Sequence, residues 1–207
     1  MKILSIDIGI TNLGYVYADL DIKAPETGSK YKNLLLNSFY EQSNCNIKVL
    51  ECDRVDITNV HHRRVRYCDC KLLHERCIPD YLDHFIQEHP VFEECDVLLL
   101  ERQPPFGITN VQDLLFTRFR EKVKILNPNS FHVFFKFSKD YEMRKIESTK
   151  IANNFLNTFF NYNVNERKHD ISDALIMIIY YRKLYIDKLI RETCYNKTIN
   201  FDEYKYK

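Results

Sequence analysis

The sequence predicts one mixed α/β domain built on a central sheet, and three observations predict it. Two β-rich runs open the chain around a short turn, an uninterrupted apolar run stands mid-chain, and the remainder alternates helical and strand-like patterns. The resulting order is β-β-β-α-β-α-β-α-α. At 207 residues the chain suits one substantial domain better than two, so residues 1–207 read as a single domain.

Each element has its own signal. Residues 2–8 form a short β-rich run closed by Gly9, and 14–20 form a second. Asn12 and Gly14 mark the turn between them, which predicts a hairpin. Residues 21–45 carry Pro25, Gly28, Ser29, Asn37, Ser38, Ser43 and Asn44, the composition of an irregular insertion. Strand character resumes over 47–57 and adds a third antiparallel strand. Over 72–87, Leu73, Cys77, Tyr81 and Phe85 recur at i, i+4 spacing, so a helix is expected with Cys77 in the core and Pro79 limiting its start. Residues 96–100 are apolar after Asp96, as in a strand buried on both faces. Pro104, Pro105 and Gly107 force a loop. Beyond it we expect a helix over 111–126, a strand over 131–137, a helix over 143–160, an Asn-rich loop at 161–165 and a final helix over 169–189, with a short C-terminal tail.

Composition narrows the classes. Hydrophobic residues make up 45% and charged residues 29%, which is the balance of a globular chain rather than a disordered one. No apolar run approaches the length of a membrane span, so no membrane partner is expected. Seven cysteines without a signal-peptide pattern read as reduced thiols of an intracellular, non-secreted protein. Net charge is only +1, but residues 118–150 hold nine Lys or Arg against four Asp or Glu, and a second basic run covers 61–66. Such runs are most often solvated faces, and they read as a phosphate-binding surface only beside a catalytic site.

Four carboxylates supply that site. Asp7 ends the first strand, Glu101 follows the apolar strand, and Asp170 and Asp173 sit three residues apart at the start of the last helix, on one face. Each alone has a local explanation: a helix cap, a lysine partner or a turn amide. As a set at the ends of three elements, they match the oxygen ligands of hard divalent cations, Mg²⁺ or Mn²⁺. Two such ions per site would stabilise both the attacking and the leaving oxygen of a phosphodiester.

Asp7-Ile8-Gly9 with Asn12, the run Leu100-Glu101-Arg102-Gln103-Pro104, and Lys168-His169-Asp170-Ile171-Ser172-Asp173-Ala174 resemble the three acidic motifs of viral Holliday junction resolvases. Asp140-Tyr141-Glu142 followed by Arg144-Lys145 is similar to a fourth element of that group. These enzymes, of the poxvirus and iridovirus type, are related to the bacterial RuvC resolvases. The resemblance covers residues 1–20 and about 46–184. It implies a ribonuclease-H-like fold with three antiparallel strands plus two parallel ones, flanked by helices. It further implies paired symmetric nicks in four-way DNA junctions, a homodimer, and a virus-encoded protein of the host cytoplasm or nucleus. The last motif departs from the poxvirus pattern, which often has two adjacent acids; here His169 precedes Asp170, and a metal-binding or proton-transfer role for His169 stays open.

Roles follow for the basic and aromatic residues. Lys168 is placed in the catalytic set, where with Arg144 and Lys145 it would neutralise charge growing on the phosphate. Arg102, Phe106, Arg118, Arg144, Lys145 and Lys150 are the candidate DNA contacts. Phe106 has two readings, a stacking platform for unpaired bases or a cover over the core. The apolar residues of 111–126 exceed one core contact, and with basic residues at 118, 120, 122 and 124 they suggest a dimer face.

Rival classes use the same residues. The run Asp7–Asn12 also looks like a phosphate loop of actin-like ATPases, but that fold requires a second Asp-x-Gly loop. Glycines occur only at 9, 14, 28 and 107, and no nucleotide cofactor is expected. A general ribonuclease H or branched-DNA nuclease is the nearest enzymatic rival, and a non-catalytic nucleic-acid-binding module is the third class. Cys68, Cys70, His74 and Cys77 form a possible zinc set, although their spacing is not a standard structural zinc pattern.

Overall fold

The computed structural model describes residues 1–21, 47–59, 72, 75–156 and 168–202, with side chains of the last helix described to residue 188. Strands β1 (Lys2–Asp7), β2 (Leu13–Leu20) and β3 (Ile47–Val55) come first. Helices α1 (Ile78–Glu88) and α2 (Val91–Glu94), strand β4 (Val97–Glu101), helix α3 (Thr109–Arg118) and strand β5 (Val123–Leu126) follow. Helices α4 (Pro128–Phe135), α5 (Tyr141–Leu156) and α6 (Lys168–Asp202) complete the order. The five strands form one sheet in the order β3-β2-β1-β4-β5. The pairs β1–β2 and β2–β3 are antiparallel, whereas β1–β4 and β4–β5 are parallel. This is the expected sheet of three antiparallel and two parallel strands.

Strand alternation divides the core between the two faces. Leu4, Ile6, Tyr15, Leu98 and Leu100 point to one side and pack with Leu82, Phe85, Phe92 and Leu115 of the α1–α3 layer. Ile3, Val16, Ala18, Val97 and Leu99 point to the other and pack with Phe131, Ala152, Leu156 and the α6 run Ala174–Ile178. All five residues of that run are buried, so α6 is enclosed by the sheet and by α5 rather than laid on by one stripe. Each buried Leu, Ile or Met there contributes about 1.5–3 kcal/mol, which pins the N-terminal turns of α6 to the sheet.

Four expectations are corrected. The predicted strand at 131–137 is helix α4, because Asn127 caps it, accepting from the Asn129 amide, and Pro128 sits in its first turn. The aromatic run that suggested a strand instead meets α6, with Phe131 and Phe134 against Tyr180. The helix expected over 111–126 ends at Arg118, and Val123–Leu126 forms strand β5 beside β4. That break divides the apolar stripe between two elements: Val111, Leu115, Phe119, Val123 and Leu126 are buried within the domain, and Leu114 and Phe116 pack against its core partly buried. Finally, α1 begins at Ile78, and Cys77 is its exposed N-cap residue rather than a core residue. Residues 22–45 of the expected insertion, the basic run 61–66, and Cys68, Cys70 and His74 lie outside the described residues. No helix among the described residues is long and apolar enough to cross a membrane.

Candidate active site

The carboxylates gather where the parallel pair β1–β4 ends. Ile6 pairs with Leu100, so the next residue on each strand, Asp7 and Glu101, stand side by side on the α5–α6 face. Gly9 lets the chain turn sharply there: a Cβ on it would lie 2.4 Å from the Asn12 carbonyl oxygen. On the other side Asp7 pairs with Gly14 of β2. A Cβ at Gly14 would lie 2.3 Å from the carbonyl oxygen of Asp170, so the missing side chain is what lets the first turn of α6 settle onto the sheet. Local sequence thus brings three elements to one point.

The acids act on one another electrostatically. Burial pushes the Asp7 carboxyl well above its ordinary range, and the charges of Glu101 and Asp173 push it further. Its protonated form donates a hydrogen bond to Glu101. Burial raises Glu101 as well, Asp173 adds to the rise, and Lys145 and Arg144 oppose it. Lys145 ion-pairs with Asp173. Burial disfavours the lysine's charge, but Asp173, together with Asp7, outweighs burial and leaves its pKa raised. Asp170 is buried, and its Oδ1 lies 3.2 Å from His169 Nε2. Among the described residues no three His, Cys, Asp or Glu side chains are already grouped as a metal-ligand set. Here Asp173 is engaged by Lys145.

The other candidates fall in different places. Arg144 stacks over Tyr141 at 5.6 Å and, from the first turns of α5, acts on Glu101. Lys168 opens α6, its carbonyl accepting from the Ser172 hydroxyl. Phe106 is fully exposed at 103%, on the loop that leaves Glu101, which excludes the core-cover reading. Arg102 is exposed on the same loop, and Lys150 is exposed on α5. Arg118 is not brought to the site: it pairs with Asp83 of α1, in the layer on the opposite face. One neighbour escaped the sequence reading. His132 of α4 is half-buried, and burial and then the charge of Arg144 hold its pKa below the ordinary imidazole value, while Asp173 acts in the opposite sense. It sits in the segment whose aromatic pattern suggests a strand.

No protein-family model and no curated protein sequence matches the chain. Solved structures do. The fowlpox virus resolvase complexed with Holliday junction DNA is 19% identical, with a TM-score of 0.56 over 90% of this chain and 99% of that one. The same virus's free enzyme gives 17%, 0.54, 88% and 99% in the same terms. The chain has the fold of the Holliday junction resolvases. A resolvase from outside the viruses agrees: the yeast mitochondrial enzyme Ydc2 is 14% identical, with a TM-score of 0.52 over 91% of this chain and 85% of that one. At these identities the likeness establishes the fold alone.

Proposed function

We propose that this chain is a metal-dependent Holliday junction resolvase, an endonuclease that nicks two opposed strands of a four-way DNA junction. One observation carries the reading: Asp7, Glu101 and Asp173 converge at the ends of three elements of a resolvase fold, beside buried Asp170. The donor set is all carboxylate, and burial, reinforced by the charges of neighbouring acids, favours the protonated forms of Asp7 and Glu101. A hard divalent cation relieves the repulsion between those charges and is the species such a set selects. Asp7, Glu101, Asp170 and Asp173 would hold two Mg²⁺ or Mn²⁺ ions, with His169 beside Asp170. When bound, these ions supply Lewis-acid stabilisation of the attacking and leaving oxygens of the phosphodiester.

The chain's own residues do the rest. Lys145 and Arg144 stand on the carboxylate side of α5 and place positive charge where a scissile phosphate would gather negative charge. Lys168, at the start of α6, adds to the same field. Phe106 offers an open aromatic face next to Glu101 for a base unstacked at the junction centre. Two symmetric nicks require two sites, hence a homodimer on the twofold substrate.

The test is incubation of purified protein and Mg²⁺ with labelled four-way junction, linear duplex and RNA/DNA hybrid. Paired nicks in the junction, with the duplex intact, are the expected result. Preferential cutting of the hybrid would replace this reading with a ribonuclease H activity.

A further inference from the structure

Arg54 stands out as a charge that the carboxylates do not use. Gly14 pairs with Asp7 on one side and with Arg54 on the other, so Arg54 and Asp7 project to the same face of the sheet. Two strand spacings, about 10 Å, separate them. The first turn of α6 lies over the glycine between them. The guanidinium is aimed by a neutral group: Nη1 donates to Asn12 Oδ1 at 2.7 Å, and Asn12 belongs to the turn that follows Asp7. Nε is buried and makes no hydrogen bond among the described residues. No carboxylate among the described residues ion-pairs with this half-buried arginine, although guanidinium groups withdrawn from water usually find one.

We propose that Arg54, oriented by Asn12, is a phosphate-binding site that holds a backbone phosphodiester next to the one at the carboxylates. The site rests on the nuclease reading and extends it. Arginine's planar fork has donors left after the Asn12 bond, and it suits a phosphate's paired oxygens better than a lysine point charge does. Asn12 restricts the side chain before the ligand arrives, which lowers the ordering cost of binding. The position is also selective. The acids and Arg54 flank the first turn of α6, so a strand held at both would pass around the end of that turn and not over Gly14. Arg54 therefore positions the strand, and it does not touch the reacting atoms.

The experiment measures binding of a fluorescent four-way junction in EDTA as a function of salt, for wild type, Arg54→Gln and Arg54→Lys. Gln keeps a donor for Asn12 and removes the charge. Removing a single cation–phosphate interaction lowers the slope of log K against log salt by about 0.9. Arg54→Gln is expected to show that drop with roughly tenfold weaker binding, and Arg54→Lys is expected to restore the slope. Melting temperature is read in parallel, because a purely structural arginine would change it and leave the slope alone. A wild-type slope in Arg54→Gln overturns the phosphate site while leaving the nuclease reading intact. Absence of salt-dependent junction binding by the wild-type protein would instead overturn the reading on which the site rests.

Discussion

Replacing Gly14 by Ala tests whether the close approach of β2 and the start of α6 builds the site. The new methyl would stand 2.3 Å from the Asp170 carbonyl oxygen and 2.4 Å from its carbonyl carbon, about 1 Å short of ordinary van der Waals separation. Both obstacles are backbone, so no side-chain rotation relieves them. Overpacking of this kind costs about 1–3 kcal/mol. In open space the same substitution would stabilise a strand by about 0.5–1 kcal/mol, because glycine loses more backbone freedom on folding. The sign of the effect therefore separates the two cases. For a chain of this size about 2–4 °C of melting temperature corresponds to each kcal/mol, so a fall of roughly 2–12 °C is expected by circular dichroism. Since α6 must move by about 1 Å, carrying Asp170 and Asp173 with it, cleavage should fall by about 100-fold. A Gly14→Ala protein that melts at or above the wild-type temperature and cuts at the wild-type rate would refute this account of the site's assembly.

Asp7→Asn should raise the melting temperature of metal-free protein. The folded Asp7 binds its proton more tightly than the unfolded one, so wild-type stability falls as pH rises from the unfolded value near 3.8 through the raised folded value. The variant should lose that part of the slope, and a thermal-melt series from pH 4 to 8 in EDTA reads it. Lys145→Gln leaves Asp173 without its partly buried partner, so the melt should fall in EDTA and recover partly with Mg²⁺, while junction cleavage drops at least about 100-fold. Phe106→Ala removes a fully exposed ring, so the melting temperature should not change. Its cleavage of four-way junctions should fall more than its cleavage of nicked or flapped DNA, and equal losses on all substrates would remove the stacking role.

Much of the site is legible in the sequence, because its signals are local. Asp7 with Gly9, Glu101 at the end of an apolar strand, and Asp170 with Asp173 at a helix start each state their position through immediate neighbours. The sheet's antiparallel half is legible for the same reason, from a tight turn and two short apolar runs. The region 119–137 is not. No glycine or proline separates α3 from β5, so helical periodicity runs on through Phe119–Leu126, although tertiary pairing with β4 makes 123–126 a strand. The following aromatic run then reads as the missing strand, when the Asn127-Pro128 cap makes it a helix. His132 is hidden within that segment. Arg54 is invisible for another reason: its place opposite Asp7 depends on the β1–β2–β3 register, which a single sequence does not specify.

The most direct test of the central claim is strand cleavage of a labelled four-way junction by wild type and by Asp7→Asn, Glu101→Gln, Asp170→Asn and Asp173→Asn, each with Mg²⁺ and with EDTA. The substitutions preserve size and remove the charges that hold a hard cation. Wild type is expected to cleave with Mg²⁺ and not with EDTA. None of the four variants is expected to cleave, although each still binds the junction. Wild-type turnover in any of the four variants, or undiminished wild-type cleavage in EDTA, would contradict this reading.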